Sequence, residues 1–224
     1  MAKSDLTKER VVYKPFEYPV AFDYWLKQQQ AHWIHTEVPM MSDVNDWKQN
    51  LTDTEKNIIG SILKGFAQTE TVVNDYWTGL VTKWFRKPEI IAMATVFGAM
   101  ETVLLSFKMR NKLKGVGQIV EWSIRDESMH SDAGCWLFRT LLEENPELKT
   151  PELEAAINEA ALLSLKLEID FIEKVYEQGD LEGCSKEDLI SFIKHRVNTK
   201  MGDLGYRPIV NGIDVTAIER MKWF

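Results

Sequence analysis

The 224-residue sequence predicts an all-α fold, an antiparallel bundle of long helices in a single domain. Three observations carry this. No segment alternates apolar and polar residues with the period of two that a half-buried strand requires. Long stretches instead carry apolar residues three and four apart, as amphipathic helices do. The breaks between them hold helix start and stop residues such as Pro88, Asn145-Pro146 and Thr150-Pro151. Repeats and low-complexity tracts are absent.

Residues 1–18 are polar, are followed by Pro19 and read as an extended arm. A first helix is expected over residues 21 to about 35, with Phe22, Trp25, Leu26 and Trp33 on its apolar side. Residues 37–43 read as a loop, because Pro39 opposes further helix. Thr52 or Asp53 caps the next helix, with Glu55 in its first turn, and it runs to about Trp84. Pro88 opens a third helix at a position where its missing N–H costs nothing, and the Gly115-Val-Gly117 run stops it. A further helix ends before Asn145-Pro146, another runs from Thr150 to about Gln178, and Ser185 caps a last one to about Leu204. Residues 205–224 show no period and read as an irregular tail.

Composition narrows the function. A net charge of −7 argues against a nucleic-acid surface, which leans on Lys and Arg. Two cysteines, Cys135 and Cys184, do not suggest a secreted disulfide scaffold, and a reduced cytoplasmic setting fits better. The N-terminus has no apolar signal core, and no run approaches the roughly 20 apolar residues of a membrane span. Eight tryptophans and nine methionines read chiefly as core filler.

The chemistry centres on Ile119–His130. Glu127 and His130 are three apart, so a helix stacks them one turn apart, where a carboxylate and an imidazole can grip one metal ion; the alternative is a solvated helix face carrying charges. Asp126 and Trp122 add an acid and a redox-capable ring one turn apart. Two more carboxylates lie among apolar neighbours: Glu101 between Phe97 and Leu104-Leu105, and Glu70 between Phe66-Ala67 and Val73. A buried carboxylate protonates, pairs with a base or binds a cation. Neither has Lys or Arg at i±3 or i±4, so each faces either a metal or an arginine from another helix. Carboxylates with one imidazole suit iron or manganese better than zinc. Glu168, between Leu165 and Phe171, is a reserve ligand. His32 and His35 read as surface or packing residues, and His195 lies in a basic helix. Gly115-Val-Gly117 lacks the strand and third glycine of a nucleotide fingerprint.

Several runs together resemble the small, radical-generating subunit of class I ribonucleotide reductase. They are Trp33-Ile-His-Thr-Glu-Val-Pro-Met, Leu51-Thr-Asp-Thr-Glu-Lys, Phe66-Ala-Gln-Thr-Glu70, Pro88-Glu-Ile through Met100-Glu101, Leu105-Ser-Phe-Lys-Met-Arg-Asn-Lys, Ile124-Arg-Asp-Glu-Ser-Met-His130 and Gly205-Tyr-Arg-Pro-Ile. They cover most of residues 20–210 in family order. The resemblance implies a ferritin-like helical bundle that dimerises with its own kind and pairs with a large reductase subunit. It implies a dinuclear iron or manganese site (Fe/Fe, Mn/Fe or Mn/Mn) that uses O2 to generate the oxidant for deoxyribonucleotide synthesis on that large subunit. Glu70, Glu101, Glu127 and His130 fall on four of the family's six ligand positions, and Trp33 and Asp126 on its electron-transfer route.

The sequence also departs from the family. Leu104 stands where the first metal helix carries a histidine, and Lys108 where the radical tyrosine would stand. The long family segment with that tyrosine and a further glutamate has no counterpart, nor has the C-terminal tail that docks on the large subunit. Two alternatives remain open: a ferritin-like oxidase or oxygenase, and a non-catalytic dimeric bundle whose glutamates pair with arginines.

Overall fold

The computed structural model describes residues 4–33, 35–97 and 113–221; the side chains of His35, Phe66, Ala67, Glu70 and Thr71 also fall outside the described set. The described residues are helical and contain no strand beyond an isolated bridge between Leu181 and Cys184. The all-α expectation holds. No described helix is long and apolar enough to cross a membrane.

The described helices are α1 (Pro19–Gln30), α2 (Met41–Asn45), α3 (Asp53–Asn74), α4 (Pro88–Phe97), α5 (Lys114–Glu144), α6 (Pro151–Val175), α7 (Lys186–Leu204) and α8 (Val215–Arg220). Helix α3 continues through a π-helical stretch, Asp75–Val81, into Thr82–Trp84. The chain divides into two compact units: Met1–Asp46 with Leu63–Glu144, and Trp47–Ile62 with Asn145–Phe224.

In the first unit α1 packs on α4, α4 on the π-helical end of α3, and both α1 and α2 on α5. Their core joins Leu6, Tyr18, Ala21, Trp77, Val81, Phe85, Ile90, Met93, Phe97, Ala133 and Leu137. The arm is non-helical as expected, and it is anchored. Leu6 is buried, and its N–H donates to Glu144 Oε2 at 2.6 Å. Glu89, at the start of α4, is fully buried and accepts from Glu17 N (2.9 Å), Tyr18 N (3.1 Å) and the Arg10 guanidinium. Buried Lys87 closes the cluster on Glu17 at 2.9 Å.

Three element readings need correction. Helix α1 stops at Gln30 rather than near residue 35: Ala31 caps it, and Arg125 of α5 donates to the Ala31 carbonyl (3.2 Å). The stretch expected as a loop contains α2, followed by a π-helical turn, Asp46–Asn50. The Gly115-Val-Gly117 run does not stop a helix but opens α5. There Asp43 accepts from Gly115 N (3.0 Å) and Val116 N (2.7 Å), filling two of the donors that every helix N-terminus leaves open. A Cβ on Gly115 would lie 2.7 Å from Met40 Sδ and 3.0 Å from the Pro39 carbonyl, so this close approach requires glycine.

In the second unit the start of α3 is closed by a capping box, Glu55 N to Thr52 Oγ1 at 3.2 Å and Thr52 N to Glu55 Oε2 at 2.8 Å. Helix α6 packs on α7 and α7 on α8. Thr150 and Ser185 cap α6 and α7 as the sequence predicts, and Gly205 ends α7 at φ 92°, a left-handed cap. The tail is not wholly irregular. Asn198 pins it by accepting from Ile209 N and Val210 N (both 2.9 Å) and donating to the Val210 carbonyl (2.8 Å), and Arg220 of α8 binds Asp188 of α7.

Candidate metal centre

The i, i+3 spacing on α5 brings the Glu127 carboxylate to His130, with Oε1 and Nδ1 2.5 Å apart. His130 is buried against Phe97, whose ring centroid lies 4.2 Å from the imidazole, and Trp77, at 6.4 Å. Both rings are buried, so charge at this point is weakly screened. The π-helical stretch Asp75–Val81, a widened turn of a kind frequent at functional sites, carries Trp77.

His130 Nε2 meets the Gln28 carbonyl oxygen at 2.9 Å. That oxygen only accepts, so Nε2 carries the proton and Nδ1 is the nitrogen presented to Glu127. Glu127 Oε1 is buried and has no hydrogen-bond donor among the described residues. A carboxylate oxygen and a ring nitrogen this close need a proton or a cation between them. The donor set, hard oxygen plus imidazole in an apolar wall, fits iron or manganese.

Behind the pair stands Asp126, fully buried. Trp33 Nε1 donates to its Oδ2 at 3.3 Å, and the Trp33 ring lies 5.4 Å from Trp122. Asp126 Oδ1 has no hydrogen-bond donor among the described residues; the nearest charge is Arg125 Nε, at 3.7 Å. Burial raises the Asp126 pKa above the usual carboxylate range, opposed by Trp33, Arg125, His130 and a looser interaction with Gln28. An open cleft of about 440 Å³, lined by Val73, Tyr76, Trp77 and Gly134 among others, runs up to Glu127 and His130.

The structure thus brings together Trp33, Asp126, Glu127 and His130. Glu70 lies within α3, three residues before Val73, with its side chain outside the described set. Glu101, Leu104 and Lys108 fall outside the described residues. Among the described residues no group of three or more His, Cys, Asp or Glu side chains gathers around one point. His32 and His195 are exposed. The reserve ligand Glu168 is exposed, although Leu165 and Ile172 on the same face of α6 are buried and partial desolvation raises its pKa. Sequence reasoning missed Gln28. Its signal was position: it lies seven residues after Ala21 and shares that residue's buried face of α1.

The family model for the ribonucleotide reductase small chain matches residues 10–104 and, separately, 102–215. The chain belongs to the ribonucleotide reductase small-chain family. The two matched stretches overlap at 102–104. A probable ribonucleoside-diphosphate reductase small subunit from Invertebrate iridescent virus 3 is 24% identical over 297 residues, covering 93% of this chain and 78% of the relative. That alignment is longer than the 224-residue chain, so the viral subunit carries positions with no counterpart here. The ribonucleoside-diphosphate reductase subunit beta of Chlamydia pneumoniae is 21% identical, covering 87% of this chain and 80% of the relative. Among solved structures, the dimanganese(II)-NrdF of Streptococcus sanguinis superposes with a TM-score of 0.77 at 17% identity, covering 96% of this chain and 99% of that one. The chain shares the fold of these reductase small subunits, and the bundle is ferritin-like as the resemblance implied.

Proposed function

We propose that this ribonucleotide reductase small subunit holds a dinuclear iron or manganese centre through Glu70, Glu101, Glu127 and His130 and works with O2 and a large subunit, as a homodimer in the cytoplasm. The observation that carries the reading is the Glu127–His130 pair, 2.5 Å apart inside an apolar wall. The dimanganese(II) form of the Streptococcus sanguinis protein supports manganese as one candidate. Such a centre, when bound, supplies one-electron oxidising power drawn from O2.

The chain's own residues do the rest. Glu127 and His130 bind from one rigid helix, so their geometry is fixed before the ion arrives. Phe97 and Trp77 exclude water from the inner side of His130. Trp33 is held with its Nε1 proton on Asp126 Oδ2. An electron leaving the indole is compensated when that proton moves to Asp126, whose raised pKa favours accepting it. With Lys108 at the family's tyrosine position, Trp33 rather than a tyrosine there is the residue placed to carry the hole.

A second reading, a metal-dependent oxidase or oxygenase, is favoured by the open cleft beside Glu127. The test is reconstitution with iron or manganese, O2 and a reductase large subunit, with deoxyribonucleotide formation as the readout. The proposal expects product that requires both the metal and the large subunit. Metal-dependent O2 consumption with no deoxyribonucleotide would favour the oxidase.

A further inference from the structure

The π-helical stretch Asp75–Val81 brings more than Trp77 to the cleft. Two turns through such a stretch take about eight residues, rather than the roughly seven of an α-helix. Tyr76 and Trp84, eight apart, therefore return to one face, and their rings meet edge to face with centroids 6.3 Å apart. Tyr76 meets Trp77 in the same way at 5.1 Å, and Trp77 lies 6.4 Å from the His130 imidazole. Each step is within the reach of a direct ring contact. Four rings thus run from His130 to the surface, where Trp84 is 50% exposed. Indole and phenol are among the side chains that give up one electron most readily. Of the described tyrosines, Tyr76 alone lines the cleft at Glu127 and His130. It is 39% exposed, so water in the cleft stands ready to take its proton. Partial burial raises the phenol pKa, which keeps it neutral until an electron leaves. Trp33, by contrast, is buried with its N–H on Asp126, so a donor dissolved in water meets Trp84 more readily.

We propose that Trp84, Tyr76 and Trp77 form an electron inlet, by which a small one-electron donor in solution reduces the oxidised metal centre at His130. The oxidised centre takes one electron from Trp77, Trp77 takes one from Tyr76, and Tyr76 takes one from Trp84. Tyr76 releases its phenolic proton to the cleft as it is oxidised and regains it when Trp84 refills it. The donor, an ene-diol such as ascorbate, refills Trp84 and leaves as its own radical. One electron crosses, and every ring ends unchanged. The inlet rests on the metal-site reading above, and its test separates the two.

The experiment begins with the full metal-free chain carrying a ruthenium bipyridyl photo-oxidant on Lys83→Cys, beside Trp84. The native Cys135 and Cys184 are buried, so the label goes to the new thiol. After a flash, transient absorption should show an indole radical giving way to a tyrosyl radical. The tyrosyl signal should be lost when Tyr76→Phe or Trp84→Phe is added, with helical content unchanged by circular dichroism. The unlabelled chain is then loaded with iron, oxidised with O2 and mixed with ascorbate. Return of the centre to its reduced spectrum should slow in Tyr76→Phe, at unchanged iron content, and slow more there than in Trp33→Phe. A hole that stays on indole in the labelled chain with Tyr76 in place would overturn the inference without any metal. So would reduction as fast in Tyr76→Phe as in wild type, or slower in Trp33→Phe than in Tyr76→Phe. A Tyr76 radical in a chain that binds neither iron nor manganese would support the aromatic route while sinking the metal reading.

Discussion

Two carboxylates of the first unit, Glu89 and Glu127, show what separates a structural acid from a site acid. Glu89 is wholly buried and wholly answered, by the Arg10 guanidinium and by two backbone N–H groups of the arm. Glu127 is less buried, yet its inner oxygen has no hydrogen-bond donor among the described residues and looks onto a ring nitrogen. The first carboxylate holds the chain's own elements together. The second faces a ring nitrogen in place of a donor, the arrangement on which the proposed metal centre rests. Burial alone distinguishes neither; the chemistry of the facing atoms does.

The sharpest way to break this contrast is to remove each acid in turn. Glu89→Ala leaves the half-buried Arg10 with Glu17 as its remaining counter-charge and two arm N–H groups unanswered. It should cost about 3–5 kcal/mol in chemical denaturation while leaving metal affinity per folded chain unchanged. Trp33→Phe removes the donor to Asp126 Oδ2. It should cost about 1–2 kcal/mol and abolish any transient indole radical seen by electron paramagnetic resonance after O2 exposure of the loaded protein. Glu127→Gln should change the stability of the metal-free chain by less than about 1 kcal/mol, since no donor is stranded, and a loss the size of that at Glu89 would erase the contrast.

The smallest effect concerns pH. Lys87 holds the Glu17 pKa below its usual value through a side-chain hydrogen bond. A depressed folded-state pKa contributes stability above the ordinary value of 4.5 and loses it as pH falls through the folded value. The arm's contribution should therefore be constant at neutral pH and fade below 4.5 in wild type, and Glu17→Gln should flatten that part of the stability profile.

Most of the helical framework was legible in sequence because capping is local chemistry. Thr52, Thr150 and Ser185 announce their helices within three residues. What sequence could not show were ends decided by distant partners. Arg125 binds the end of α1 and Asp43 the start of α5, from 94 and 72 residues away. The same split runs through the candidate site. Glu127 and His130 could be paired from their spacing on one helix. Gln28 could not, because it meets His130 across 102 residues and glutamine is not a ligand type that draws notice. Glu168 shows the limit of reading burial from neighbours: Leu165 on its face of α6 is buried, while Glu168 itself is exposed.

The central claim is that Glu127 and His130 hold metal. Metal per chain, by elemental analysis after iron or manganese loading of wild type and Glu127→Ala, tests it most directly. The account predicts two metal ions per wild-type chain and their loss in the variant, with the helical content of both unchanged. Equal metal in both, or none in either, would contradict it.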